Sequence, residues 1–170
     1  MEGRERKKIS EVCCPPKKEG KFLTFTLDGE EYAVSIHKVK EIIGMMPITI
    51  VPRTPIFLKG VMNLRGKMIP IVDLRLKFGM EELEYTDRTC VIIVEVGAST
   101  GPVLVGLVVD AVSEVLHIKE EEIEEPPAFG GKFQTDHILG LAKTGGQVKI
   151  LLDMDKVLDP DAAEGLAQAA

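Results

Sequence analysis

Gly60-Val-Met-Asn-Leu-Arg-Gly66-Lys-Met-Ile-Pro-Ile-Val-Asp73 reads as a strand, a tight glycine turn, a returning strand and an aspartate placed to cap a short helix. The same frame recurs at Gly140-Leu-Ala-Lys-Thr-Gly-Gly146-Gln-Val-Lys-Ile-Leu-Leu-Asp153. In both copies the glycines stand six residues apart and the aspartate seven further on. A second pair of segments lies upstream. Ala33-Val-Ser-Ile36-His-Lys-Val39-Lys-Glu41-Ile-Ile43 aligns with Gly106-Leu-Val-Val109-Asp-Ala-Val112-Ser-Glu114-Val-Leu116, apolar over apolar and glutamate over glutamate. The chain therefore reads as two versions of one small β unit. The copies differ at the turn, where only the first carries an arginine, Arg65.

The length of 170 residues suits one domain or two closely packed halves. Halves of about 65 residues bury too little surface to stand alone, so a shared core is expected. The apolar fraction is 45% and the charged fraction 28%, ordinary for a globular protein. The net charge of −6 argues against nucleic acid or an anionic membrane surface as a partner. No apolar run approaches the ~20 residues of a membrane span, and the basic, polar start is no signal peptide. Three cysteines, two of them adjacent, make no disulfide framework, so a reducing cytoplasm is expected.

Residues 1–20 are charged, contain Pro15-Pro16 and read as a flexible tail. Phe22 to Leu27 alternates as a strand, Asp28-Gly29 marks a hairpin, and Glu31 to Val34 returns. Ile36, Val39 and Ile43 suit a helical turn leading into a strand, and Ile48 to Val51 a short strand between prolines. Asp73 is expected to cap a helix that Gly79 ends, and Asp153 a helix stopped by Pro160. Cys90 to Val96 and Val103 to Val109 form a second hairpin around a turn at 97–102. Glu120 to Glu125 with Pro126-Pro127 reads as an insertion, and residues 159–170 as a tail. Many short strands and little helix predict an all-β barrel or sandwich built twice.

Catalysis finds no foothold. His37, His117 and His137 lie at no metal-ligand spacing from one another or from a cysteine. Cys90 opens an apolar strand and reads as a small buried hydrophobe, while Cys13-Cys14 lies in the tail. There is no nucleophile elbow, and Gly130-Gly131-Lys132 lacks the rest of a phosphate loop. Asp73, Asp110, Asp153 and Asp155 resemble a carboxylate set, but two of them are better explained as caps. With 5% aromatic residues, the stacking surface that oligonucleotides need is also missing. What remains is Arg65 at its turn. It can make bidentate contacts to a partner, or an internal salt bridge with Glu41 or Asp73. Met45-Met46 before Pro47 suits an adaptable protein-binding surface.

At these residues the chain resembles a known family. Phe25-Thr-Leu-Asp-Gly-Glu-Glu-Tyr-Ala-Val-Ser-Ile, Lys38-Val-Lys-Glu-Ile, the Asn-Leu-Arg-Gly segment in its long context, and Gly106 to Leu116 are similar to the CheW family of chemotaxis adaptors. The likeness runs from about Phe22 to Leu158. It implies an all-β fold of two SH3-like five-stranded β-barrels around a shared hydrophobic core, with a few short helices. The domain would cover residues 21–158 as two intertwined barrels, between tails at 1–20 and 159–170. The resemblance further implies no enzymatic activity, no cofactor and no metal. Its expected partners are the regulatory domain of the histidine kinase CheA and the cytoplasmic tip of methyl-accepting chemoreceptors. Neither nucleic acid binding nor direct membrane insertion is expected, and the place of work would be the cytoplasm, at membrane-associated receptor arrays. Carried onto this sequence, receptor contact falls on Val39, Glu41, Gly60, Arg65 and Val115, in a groove between the barrels. Kinase contact falls on Ile43, Met45, Met46 and Ile48. Val39 and Val115 are expected on opposite walls of that groove.

Overall fold

Strand β1 (Gly20–Leu27) buries both its faces, and that decides how the chain is layered. Phe22 points into one apolar cluster, whereas Leu23, Phe25 and Leu27 point into another. A half-solvated antiparallel sheet would expose one of these faces. Here each sheet curls around a core of its own and packs its outer face against its twin. The computed structural model describes residues 19–98, 101–125 and 137–158. Residues 1–18 and 159–170 of the expected tails lie outside these residues. So do Cys13-Cys14, Gly130-Gly131-Lys132, Pro160 and the tip of the turn after Gly97.

The first sheet runs β3-β6-β7-β5-β4, built from β3 (Val39–Gly44), β4 (Leu58–Leu64), β5 (Lys67–Asp73), β6 (Cys90–Ala98) and β7 (Gly101–Val109). The second runs β8-β1-β2-β11-β10-β9. It adds β2 (Glu30–Ser35), β8 (Ala111–Ile118), β9 (Ile123–Glu124), β10 (Ile138–Thr144) and β11 (Gln147–Leu152). Both contain one parallel pairing, β5 with β7 and β11 with β2, at the same place in the order. The duplication read from sequence is thus a duplication of topology.

The two repeats exchange their hairpins. Hairpin β1–β2, the first among the described residues, joins the sheet of the second repeat, and hairpin β6–β7 joins the sheet of the first. The corners that send the chain across are short: a 3-10 turn at Ile36–Lys38 after β2, and Asp110 after β7. Each sheet then closes on itself. Beyond β3, Thr49 pairs with Val61 of β4 through hydrogen bonds of 2.8 and 2.9 Å, completing the first barrel. Beyond β8, β9 pairs with β10 and completes the second. The acidic stretch expected as an insertion is therefore a 3-10 turn and the closing strand, at the spacing from β8 that Thr49 has from β3. The expected strand at 48–51 shrinks to the single Thr49 bridge, because the flanking Pro47 and Pro52 lack N–H donors to extend it.

Closure needs glycine at one place in each repeat. A Cβ on Gly60 would sit 2.1 Å from the Thr49 carbonyl oxygen, and one on Gly140 2.6 Å from Ile123 Cγ2. The β4–β5 and β10–β11 registers also shift at these glycines, so a bulge and a close approach coincide twice.

Three cores result. Met62, Ile69, Ile71, Val91, Ile93 and Val108 fill the first barrel, and Phe22, Ala33, Ile118, Ala142 and Leu151 the second. Between them lies the largest cluster, to which both sheets contribute, from Leu23, Phe25 and Val34 on one side to Ile92, Val94 and Leu107 on the other. Helix α1 (Leu74–Lys77) and helix α2 (Met154–Val157) seal its ends. Asp73 accepts from the Arg75 and Leu76 amides and Asp153 from the Asp155 amide, the two caps expected.

Candidate protein-binding surface

The turn joining β4 to β5 places Arg65 and Gly66 in the left-handed region, with φ of 53° and 86°. That is the geometry of a two-residue hairpin, tolerated by Gly66 and costly for Arg65. The Asn63 carboxamide oxygen steadies it by accepting from the Gly66 amide at 2.9 Å. The turn carries the Arg65 side chain across to β3, where its guanidinium grips both oxygens of Glu41, one at 2.9 Å. Because β3 and β4 are the outermost strands of their sheet, this bidentate pair spans the seam of the barrel. The hydrogen bond from Arg65 holds the Glu41 carboxyl below the ordinary carboxylate range, and the same bond raises the arginine.

Of the two internal partners the sequence allows Arg65, the structure thus selects Glu41. Asp73 is buried, capping α1 and accepting from the Tyr85 hydroxyl. The pair is still open to a partner, for the Arg65 side chain is 72% exposed.

Apolar side chains project from the opposite face of β3, the one turned away from Glu41. Ile42 stands opposite Ile92, and Val115 opposite Leu23. Ile92 and Leu23 belong to the shared core, so Ile42 and Val115 project from the sheet faces turned toward the other barrel. They lie on edge strands and remain 43% and 50% exposed. Val39 is on the same face but packs against the shared core, as does Val112. The repeat alignment pairs Val39 with Val112 and Ile42 with Val115, so Ile42 rather than Val39 is the repeat equivalent of Val115. Gly60 is buried beneath Thr49 and offers a partner no surface.

The residues expected to meet a kinase sit on the same barrel. Ile43, Met45 and Ile48 pack against its interior, while Met46 and Ile50 are 39% and 80% exposed. These anchor the segment from Gly44 to Val51 from below and leave Met46 and Ile50 outward. No cluster of three or more potential metal ligands occurs among the described residues. Cys90 is half-buried against the shared core, its thiol donating to the Arg88 carbonyl at 3.3 Å.

Sequence reasoning missed two buried cations. Arg75 on α1 donates to Asp110, to Asp28 at 3.4 Å and to the Glu81 carbonyl at 3.0 Å. Lys149 on β11 pairs with Glu31 on the neighbouring β2. The one available signal for Arg75 was its place two residues after a helix cap, between two apolar positions of the short helix.

Residues 21–162 match the family model of the CheW-like domain. The chain is 42% identical over 140 residues to the chemotaxis protein CheW of Klebsiella aerogenes, a match covering 82% of each protein. It is 34% identical over 145 residues to CheW of Thermotoga maritima, covering 84% of this chain and 89% of that one. The crystal structure of a scaffolding CheW from Thermoanaerobacter tengcongensis superimposes with a TM-score of 0.72 at 36% identity, over 82% of this chain and 92% of that one.

Proposed function

We propose how this chain, which belongs to the CheW family of non-enzymatic chemotaxis adaptors, couples chemoreceptors to the histidine kinase CheA: separate faces of the molecule take the two partners. The receptor's cytoplasmic tip, a helical hairpin, lies along the edges of β3 and β8. Ile42 and Val115 supply apolar anchors there, and Val39 the floor behind them. Arg65 and Glu41 form a polar rim. Helix-in-groove recognition uses this combination of spaced apolar anchors and a charged border. Gly60 contributes at one remove, by letting the barrel close beneath the turn.

The observation that carries this reading is the Arg65–Glu41 pair. It is fully formed without a partner, its arginine is exposed, and it sits at the edge of β3 whose other face carries the exposed Ile42. A preformed bidentate arginine loses little freedom when a receptor carboxylate or carbonyl joins it. The regulatory domain of CheA meets the segment from Ile43 to Ile48, with Met46 as its adaptable contact and Ile43, Met45 and Ile48 holding the segment in place. The chain acts in the cytoplasm, at membrane-associated receptor arrays.

A reconstituted assay with CheA and a receptor tip tests both faces. Arg65→Glu is expected to cut receptor-dependent kinase activation at least fivefold while kinase binding persists, the size of a typical coupling energy. Met46→Glu is expected to do the reverse, weakening kinase binding first. If Arg65→Glu leaves receptor-dependent activity at the wild-type level, the receptor face is wrongly placed.

A further inference from the structure

The halves repeat one more device, with its charges exchanged. In the corner between β7 and β8, the Asp110 carboxylate accepts from the Asp28 amide in the β1–β2 turn at 2.9 Å and from the Arg75 guanidinium on α1. At the opposite end, the Asp155 carboxylate on α2 accepts from the Gly97 amide near the end of β6 at 3.0 Å. It also accepts from the Lys38 ammonium in the corner between β2 and β3, at 2.7 Å. Arg75 and Asp155 each stand two residues after their helix-capping aspartate. One clamp therefore has its cation on the helix and its carboxylate at the corner, and the other has the reverse.

Both clamps cross between barrels. Helix α1 follows β5 of the first barrel, and its clamp holds a turn of the second. Helix α2 follows β11 of the second barrel, and its clamp holds β6 of the first. They differ in burial. In the first clamp Arg75 is 7% and Asp110 30% exposed, whereas Lys38 and Asp155 are 36% and 39% exposed. With no member buried, the second clamp is weakened more by water and salt than the first. The weaker clamp is also the one that leads directly into β3, which begins at Val39 and carries Glu41 and Ile42.

We propose that Lys38 and Asp155 are positioning residues: their clamp sets the angle between the barrels on the β3 side, and with it the spacing between Ile42 and Val115, while the Arg75–Asp110 clamp is the fixed end. The proposal rests on the reading that these two side chains receive a receptor helix pair. An adaptor transmits a signal only if its affinity depends on the state of its partner. The shared core holds the barrels together, and the exposed ion pair is the part of the groove's support that a partner can change at small cost.

The test uses the whole 170-residue chain. Residual dipolar couplings report the orientation of the two barrels, hydrogen exchange reports the Gly97 amide, and titration with a soluble receptor tip reports affinity. Asp155→Asn and Lys38→Met are expected to rotate one barrel against the other, and Asp155→Asn to speed exchange at Gly97 about tenfold. Receptor affinity is expected to fall about three- to tenfold in both, with the melting temperature lowered by no more than about 3 °C. Lys38→Arg keeps the charge and is expected to keep wild-type orientation and affinity. An unchanged barrel orientation in Asp155→Asn overturns the proposal whatever the affinity does, and so does a changed orientation with unchanged affinity. If the wild-type protein fails to bind the tip, the receptor reading falls by itself, and the couplings still decide whether the clamp sets the angle.

Discussion

Two arginines near helix caps or turns look alike in the sequence and do different things in the fold. Arg65 is exposed and its partner Glu41 half-exposed, so their attraction is screened and contributes little to stability. Its signature is a titration. Hydrogen bonding to Arg65 depresses the Glu41 carboxyl, so the pair is intact above the ordinary carboxylate range and is lost only as pH falls through the lowered value. Carboxyl NMR is expected to place the Glu41 midpoint below the reference value of 4.5 in the wild type and back near it in Arg65→Ala. An unmoved midpoint would mean that the pair does not persist in solution. Arg75 is the buried counterpart. Removing it leaves the Asp110 carboxylate, 30% exposed, with the Asp28 amide alone and frees the exposed Glu81 carbonyl, so Arg75→Met is expected to cost about 2 kcal/mol in denaturant unfolding. Arg65→Met is expected to cost well under half of that, and equal losses would contradict the burial difference between the two sites.

At the scale of elements, the glycine that begins each second hairpin marks where a barrel closes. Gly60 has φ of 142° as well as the Thr49 carbonyl oxygen 2.1 Å from where its Cβ would lie, whereas a Cβ on Gly140 would lie 2.6 Å from the Ile123 Cγ2 methyl and 2.9 Å from the Glu124 carbonyl oxygen. Gly60→Ala carries backbone strain besides the clash and is expected to destabilise by about 3 kcal/mol, Gly140→Ala by about 2 kcal/mol, read as shifts in denaturant midpoint. Receptor binding by Gly60→Ala should fall in proportion to the unfolded fraction. A Gly60→Ala protein with wild-type stability and lost binding would instead place Gly60 at the interface. The hairpins, turns and caps were legible because Asp28-Gly29, Arg65-Gly66, Gly145-Gly146, Asp73 and Asp153 act through local backbone geometry. The closing strand β9 was not, because its two residues lie in a run of glutamates that reads as solvated charge. Nor was the burial of Arg75 and Lys149. Their partners Asp110 and Glu31 lie 35 and 118 residues away, beyond any local pattern.

The exchange of hairpins is a property of the whole molecule, and the alternation of apolar residues could not reveal it. Phe22 and Leu23 have the same hydrophobic pattern whichever sheet receives β1, so the sequence shows that both faces are buried without showing against what. The exchange has a consequence for assembly. Neither barrel can be made from one repeat, since the first lacks β6–β7 and the second lacks β1–β2 without the other half. The shared core likewise needs both sheets. A chain split between Leu83 and Glu84, at exposed residues of the connector, is expected to give two fragments that show no cooperative unfolding separately. Mixed in equal amounts they should regain one cooperative transition, with a midpoint that rises with concentration because closure has become bimolecular. A concentration-independent midpoint in the mixture, or a folded barrel from residues 1–83 alone, would show that the hairpins are not exchanged in solution. One cooperative unit is also what an adaptor with two partner faces requires. The edge of β3 proposed to meet a receptor and the segment from Ile43 to Ile48 proposed to meet CheA belong to one barrel whose central strands β6 and β7 come from the other repeat, so both proposed faces depend on the two halves folding together.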